Sequence, residues 1–134
     1  RPAHKPTTDI DEQCVYILTL KTTPGISDPM NKLREEHFPP HLNKTPAHVT
    51  LFHALPHSQR DSIEKNLNAV TARTKPFLVA AGSAFRMRQG VGISLGIGTK
   101  EAQAVREELR GEWVEWLSEQ DKGGWRPHWT VMNK

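Results

Sequence analysis

The tripeptide His-x-Thr occurs twice in this chain of 134 residues, once in each half, at residues 48–50 and 128–130. Each copy closely follows a proline and leads into an apolar run that is typical of a β-strand. Because side chains alternate between the two faces of a strand, the His and the Thr of each copy share one face. The sequence therefore predicts two similar strands, each of which presents an imidazole beside a hydroxyl.

These side chains suit acid-base chemistry on an anionic centre if the two strands line one cleft. Imidazole changes its charge near neutral pH, and a threonine hydroxyl is a neutral hydrogen-bond donor. Phosphate esters fit such a site best. A single His-x-Thr arises easily by chance in a chain with 7 histidines, but two copies in matching contexts favour a catalytic pairing of His48 with His128.

The composition is that of one globular domain, with 36% hydrophobic and 25% charged residues. The longest apolar stretch, residues 77–81, continues only as far as residue 85 with Gly82 and Ser83 inside it, far short of the ~20 residues that a membrane span needs. The first residues lack the apolar core of a signal peptide, and the lone Cys14 excludes an intramolecular disulfide. We therefore expect an intracellular, cytoplasmic protein without a membrane partner.

Charge is distributed unevenly along the chain, although the net charge is only +3. Residues 65–100 contain Lys and Arg but no Asp or Glu, whereas acidic residues predominate over residues 101–121. This separation suggests a basic surface near an anionic ligand and an acidic helix that faces away from it. A solvated basic face without a partner explains the same pattern.

Hydrophobic periodicity and turn residues predict an α+β fold. The predicted strands are residues 15–20, 48–55, 77–87, 91–97 and a last strand from 128, and the predicted helices are 28–38, 58–72 and one from 99 that ends before 123. Ser58 and Asp61 have the spacing of a capping box. A helix precedes the His-x-Thr strand in both halves, which predicts two pseudo-symmetric lobes of antiparallel sheet with outer helices and a central cleft. Residues 1–12 are predicted to form a flexible arm, and residues 13–134 a single domain.

Paired His-x-Thr motifs on strands resemble the 2H phosphoesterase superfamily, which includes 2′-5′ RNA ligase-like proteins and 2′,3′-cyclic nucleotide phosphodiesterases. The resemblance covers residues 14–133. It implies that the two histidines act as general acid and general base without a metal or other cofactor; analogy favours His128 as the base and His48 as the acid, although the roles reverse if the substrate binds in the other orientation. It also implies that the hydroxyls of Thr50 and Thr130 hold phosphoryl oxygens. Family domains usually continue beyond the second motif, so the domain is expected to be minimal or short at its C-terminus.

The function that the resemblance implies is hydrolysis of 2′,3′-cyclic phosphates of nucleotides or RNA ends by a metal-independent, monomeric phosphodiesterase. Two alternatives remain open at this stage. One is 2′-5′ RNA ligase-like activity, the reverse reaction at a related site. The other is a non-catalytic module that binds RNA or nucleotides.

Four further residues are weaker candidates for substrate contacts. Phe52 is predicted to share the face of His48, where its ring would cover a nucleobase, and Trp125 would stack on a base or pack in the core. Arg86 and Arg88 alternate with apolar residues and point away from the core. They would steer a nucleotide phosphate or simply be solvated.

The histidines between residues 37 and 57 invite a metal-binding interpretation. They are His37, His41, His48, His53 and His57. No cysteine joins them, they straddle a helix end, a Pro-Pro turn and a strand, and His53 should face away from His48. The sequence therefore predicts that they do not form a metal site.

Overall fold

The computed structural model describes residues 3–133 and has an α+β fold. Within these residues the strands are β1 (Val15–Leu20), β2 (Val49–Pro56), β3 (Ala81–Met87), β4 (Gly90–Leu95) and β5 (His128–Asn133). The helices are α1 (Pro24–His37), α2 (Arg60–Ala72), α3 (Thr99–Trp113) and α4 (Glu119–Lys122). The strands join in one sheet in the order β1-β2-β5-β4-β3. The predicted α+β class is confirmed.

The chain divides into two compact units, each assembled from three separate stretches. The described residues of Arg1–Leu18, Leu51–Phe77 and Lys100–Trp125 form unit 1, and those of Thr19–Thr50, Leu78–Thr99 and Arg126–Lys134 form unit 2. Both His-x-Thr motifs lie in unit 2, whereas the sequence pattern suggests one motif in each lobe. The difference arises because periodicity identifies a strand without identifying the strand that pairs with it.

The strands that carry the two motifs, β2 and β5, are antiparallel neighbours, with Val49 opposite Trp129. Both of these side chains are completely buried, because alternation sends them to the face opposite the motif histidines. On its other side β5 pairs with β4, where Gly92 lies opposite Thr130. β4 and β3 form the hairpin that the sequence predicts, with its turn at residues 88–89.

α1 begins at Pro24, four residues before the predicted start at Asp28, so Pro29 lies inside the helix. A proline fits the first helical position because its missing N–H would have no partner there. The predicted start at Asp28 places Pro29 in the first turn, whereas Pro24 occupies the first position of the helix. α1 ends at His37, one residue before the predicted end, because Phe38 is extended and precedes a proline, which disfavours helical conformation.

The core of unit 1 contains the rings of Phe52 and Trp113, which meet edge to face with centroids 5.2 Å apart. The predicted capping box at the start of α2 is wrong. The hydroxyl of Ser58 donates to the carboxylate of Glu12 at 2.8 Å, and α2 begins at Arg60 without a side-chain cap. The Ser58 hydroxyl therefore binds the carboxylate of Glu12, which is distant in the sequence, and does not cap α2.

The predicted C-terminal helix is two helices, because α3 ends at Trp113 and α4 begins separately after Ser118. The Ser118 hydroxyl accepts a hydrogen bond from the N–H of Asp121 at 3.1 Å. The Asp121 carboxylate accepts bonds from the backbone N–H groups of His53 and Ala54 in β2, at 2.9 to 3.1 Å. These bonds tie α4 to β2 within unit 1.

The described part of the N-terminal arm contacts the segment around α4. The N–H of Thr7 donates to the carbonyl of Trp116 at 3.2 Å, and its hydroxyl donates to the carbonyl of Leu117 at 2.9 Å. The N–H of Gln120 donates to the carbonyl of Ala3 at 3.0 Å. The flexibility of residues 1–12 and the single domain over residues 13–134 stay predictions.

Candidate active site

The two motif histidines make matching hydrogen bonds to the backbone just before them. Nδ1 of His48 lies 2.7 Å from the carbonyl oxygen of Pro46, and Nδ1 of His128 lies 2.7 Å from that of Arg126. Because a carbonyl oxygen only accepts hydrogen bonds, Nδ1 carries the proton in both rings. Each neutral imidazole then offers Nε2 as its proton acceptor. The backbone thus sets the same tautomer at both positions.

The register of β2 against β5 brings the four motif side chains to one face of the sheet. The central residues of the two motifs are directly opposite, so one step along the ladder His48 faces Thr130. One step in the other direction Thr50 faces His128. Opposite residues have Cβ atoms about 4.5–5.5 Å apart, and diagonal ones about 7–8 Å. The imidazoles are therefore diagonal neighbours that can contact one phosphate group.

The four motif side chains are all half-buried. A half-buried position leaves part of each side chain open to a ligand while the rest is packed. Thr50 has interactions within the protein. The hydroxyl oxygen of Thr130 lies 3.9 Å from the sulfur of Met87, a weak contact compared with an ordinary hydrogen bond. The site is therefore a partly exposed face of the sheet on which two imidazoles and two hydroxyls alternate.

α1 holds both motif strands in place through two side chains one turn apart. The side-chain oxygen of Asn31 accepts a bond from the N–H of Ala47, next to His48, at 2.6 Å. The guanidinium of Arg34 donates to the carbonyl of Thr130 at 2.8 Å. Arg34 is only 5% exposed, and burial lowers the pKa of its guanidinium. The same helix thus fixes the backbone of both motifs.

A cavity of about 460 Å³ opens beside Thr130, within the volume range of about 300–1,000 Å³ that is typical of ligand pockets. It is lined by Met87, Arg88, Gln89, Gly90, Thr130, Met132 and Asn133. Arg88 supplies the positive charge of this lining, and its side chain is exposed. Of the two predicted arginines, it is therefore the one that shares a cavity with a motif residue.

Arg86 lies on the other side of the sheet from the motif histidines. It alternates with Phe85 and Met87 along β3, and those two side chains contact the rings or hydroxyls of the motif residues. Alternation therefore directs Arg86 to the opposite face. We leave it out of the site.

Phe52 does not have an accessible ring. Its side chain is completely buried and packs against Trp113 and the guanidinium of Arg106. Leu51 and Phe52 are consecutive in β2 and both are buried, so the face that Phe52 occupies is covered at this position. A ring without an exposed face offers nothing to a nucleobase, so the structure corrects the predicted role of Phe52 to core packing.

Trp125 belongs to unit 1, where its half-buried ring lies 5.6 Å from the guanidinium of Arg106. It lines a cavity of about 360 Å³ in that unit, together with Arg110 and Lys122. Stacking of Trp125 on a base stays a prediction.

Three residues that sequence reasoning did not place at the site surround His128. The ring of Phe85 lies 5.4 Å from the imidazole at an interplanar angle of 83°. The guanidinium of Arg126 lies over that phenyl ring at 3.7 Å, and Gly92 is the cross-strand partner of Phe85. The available signal was the glycine, because a glycine inside a strand often marks a close approach.

The described residues contain no group of three His, Cys, Asp or Glu side chains that could hold a metal ion. His53 pairs instead with Asp121, at 3.4 Å, and His57 is hydrogen-bonded to the hydroxyl of Tyr16. Metal independence stays a prediction. Over residues 3–133, none of the helices has the length and apolar character that crossing a membrane requires.

The sheet thus pairs the two His-x-Thr motifs, on which the resemblance to the 2H phosphoesterases rests, on neighbouring strands. The family model of the 2′-5′ RNA ligase superfamily matches residues 22–134, and the chain belongs to that superfamily. The superfamily is enzymatic and acts on RNA or nucleotide substrates. Comparisons with curated proteins and with solved structures gave no significant match.

Proposed function

We propose that this protein is a metal-independent phosphodiesterase that hydrolyses 2′,3′-cyclic phosphates of nucleotides or RNA ends. The observation that carries the proposal is the pairing of the two motif strands, which makes His48 and His128 diagonal neighbours with the same tautomer. Hydrolysis of a cyclic phosphodiester needs one group to accept a proton and another to donate one. Two imidazoles on one face meet that requirement.

In the proposed reaction, Nε2 of neutral His128 takes a proton from water as the water oxygen bonds to phosphorus. Nε2 of protonated His48 gives its proton to the ribose oxygen as the bond from that oxygen to phosphorus breaks. The product is a ribose phosphate monoester, and the two histidines end with their protonation states exchanged. Each proton transfer contributes typically about 10²- to 10⁴-fold to the rate.

The hydroxyls of Thr50 and Thr130 donate to the non-bridging phosphoryl oxygens in this scheme. Donors fixed on strands need no reorganisation as negative charge moves in the transition state. Arg88, in the cavity beside Thr130, adds a positive charge for the phosphate or for a neighbouring one. This arrangement stabilises the anionic centre without a metal ion.

The test is incubation of the purified protein with 2′,3′-cyclic nucleotides in EDTA, with products followed by ³¹P NMR. Conversion to a 2′- or 3′-monophosphate, lost in His48→Ala and in His128→Ala, is the expected result. Tight nucleotide binding without turnover in the wild type would instead identify a non-catalytic binding module. No binding and no turnover with either mononucleotides or RNA ends would refute the proposal.

The description of the matched family favours one second candidate, 2′-5′ RNA ligation. Ligation would use the same side chains in the same roles: the 5′-hydroxyl of a second RNA would attack phosphorus in place of water, and the ribose 3′-oxygen would leave with a proton from the general acid. Incubation of an RNA that ends in a 2′,3′-cyclic phosphate with a 5′-hydroxyl RNA separates the two activities. A longer product with a 2′-5′ linkage indicates ligation, and an opened cyclic phosphate at unchanged length indicates hydrolysis.

A further inference from the structure

The two histidines of the site differ in what surrounds their rings. Both have Nδ1 bonded to a backbone carbonyl. Only His128 also meets an aromatic side chain among the described residues, the ring of Phe85. One hydrogen bond to Nδ1 leaves a ring free to tilt about that bond, whereas a second contact on the ring fixes its plane. The contact with Phe85 therefore distinguishes the orientation of His128 from that of His48.

Phe85 reaches His128 across an intervening strand. Phe85 lies on β3 and His128 on β5, and β4 runs between them. The residue of β4 opposite Phe85 is Gly92, which has no side chain to occupy this part of the face. A Cβ atom at Gly92 would lie 2.7 Å from Cζ of Phe85, 2.9 Å from its Cε1 and 3.0 Å from the sulfur of Met87. Glycine at this position is thus required for the phenyl ring to lie where it does.

Arg126 completes a closed set of contacts around His128. Its guanidinium stacks over the phenyl ring of Phe85 at 3.7 Å, and its own carbonyl accepts the bond from Nδ1 of His128. Such cation–π contacts are attractive because the face of an aromatic ring carries negative charge. The backbone of Arg126 therefore sets the tautomer of His128 while its side chain holds the ring that contacts His128.

We propose that Phe85, lying over Gly92 and covered by Arg126, is a positioning residue that fixes the plane of the His128 imidazole. The kinetic consequence of this role rests on the proposed function, whereas the orientation of the ring does not. Loss of the phenyl ring should leave the Nδ1 bond in place and let the imidazole tilt. Nε2 would then point toward the substrate in only part of the molecules.

Three variants and one control test the proposal. Phe85→Leu removes the ring, and Gly92→Ala displaces it because the added Cβ would overlap the phenyl ring. The double variant combines both changes. Gly25→Ala adds the same methyl group in α1, where no atom lies within 4 Å of the new Cβ.

The first readout is the ¹⁵N and ¹H NMR spectrum of the imidazoles, which requires no substrate. Loss of the phenyl ring current shifts the ring protons of His128 in Phe85→Leu whether or not the imidazole moves, so the diagnostic signal is line broadening. Phe85→Leu and Gly92→Ala should both broaden the ring signals of His128 and leave the line widths of His48 unchanged. Gly25→Ala should change neither. His128 ring signals that stay as narrow in Phe85→Leu as in the wild type would overturn the proposal whether or not the protein turns over cyclic nucleotides.

The second readout is turnover of 2′,3′-cyclic nucleotides. Phe85→Leu and Gly92→Ala should each lower kcat by about 10- to 100-fold with little change in KM, since a misplacement of about 1 Å costs on that order. Because Gly92 acts through Phe85, the double variant should be no slower than Phe85→Leu alone. A further loss in the double variant would show that Gly92 acts by another route and would refute its assigned role. Wild-type protein without turnover refutes the proposed function only, because the NMR readout still decides the role of Phe85.

Discussion

Replacement of Asp121 by Asn should destabilise unit 1 strongly, although the two side chains have nearly the same shape. The carboxylate is only 1% exposed and accepts hydrogen bonds from the backbone N–H groups of His53 and Ala54 at 2.9 to 3.1 Å. The side chain of Asn has one oxygen acceptor in place of two. Its NH₂ group would therefore face the backbone N–H that the oxygen does not bind. A buried N–H would then lose its acceptor.

The size of the effect follows from these bonds. A buried donor without a partner costs about 1–3 kcal/mol, and a bond to a neutral acceptor is weaker than one to a charged group by about 1 kcal/mol. The free energy of unfolding of Asp121→Asn should therefore fall by about 2–4 kcal/mol at pH 7. For a chain of this size the melting temperature should fall by about 3–5 °C for each kcal/mol.

The loss should depend on pH in a defined direction. Burial acts to raise the pKa of Asp121, but its bonds to His53 and to the N–H groups of His53 and Ala54 outweigh burial and hold that pKa below the ordinary value of 3.8. The unfolded chain therefore binds the proton first as the pH falls. The stabilisation by the carboxylate is complete above about pH 4 and is lost as the pH falls through the lower, folded-state pKa.

The assay is urea denaturation of wild type and Asp121→Asn from pH 7 down to pH 2, with Glu64→Gln as the control. Glu64 forms an exposed pair with Arg60 at 3.0 Å, and exposed pairs are worth only about 0–1 kcal/mol. The difference in the free energy of unfolding between wild type and Asp121→Asn should become smaller below pH 4. A difference below about 0.5 kcal/mol at pH 7, or one that stays constant down to pH 2, would refute the reasoning.

Four further predictions concern the proposed reaction. His48→Ala and His128→Ala should each nearly abolish turnover, and the double variant should be little worse, since the two residues act as one unit. A plot of kcat/KM of the wild type against pH should be bell-shaped, because one imidazole must be neutral and the other protonated. Thr50→Val and Thr130→Val should each raise the activation free energy by about 2–4 kcal/mol if the hydroxyls act as oxyanion donors, with circular dichroism to verify folding. Turnover should survive EDTA, and a loss restored by Zn²⁺ or Mn²⁺ would reveal a metal site.

Local patterns in the sequence determined the elements of this fold. The alternation around each His-x-Thr predicts strands with an outward face, and β2 and β5 begin within one residue of those predictions. The start of α1 was misplaced because Pro24 and Pro29 can both occupy a first turn. The α2 cap was misplaced because Ser58 bonds to Glu12, a residue 46 positions away that no local window contains.

The sequence by itself determined the motif residues, their shared face on each strand and, through the family resemblance, the class of chemistry. Only the tertiary structure decided that the two motif strands are direct neighbours, that Phe52 is buried and that Phe85 contacts His128. The physical reason is that side-chain alternation belongs to one strand, whereas strand pairing and burial depend on residues far away in the chain.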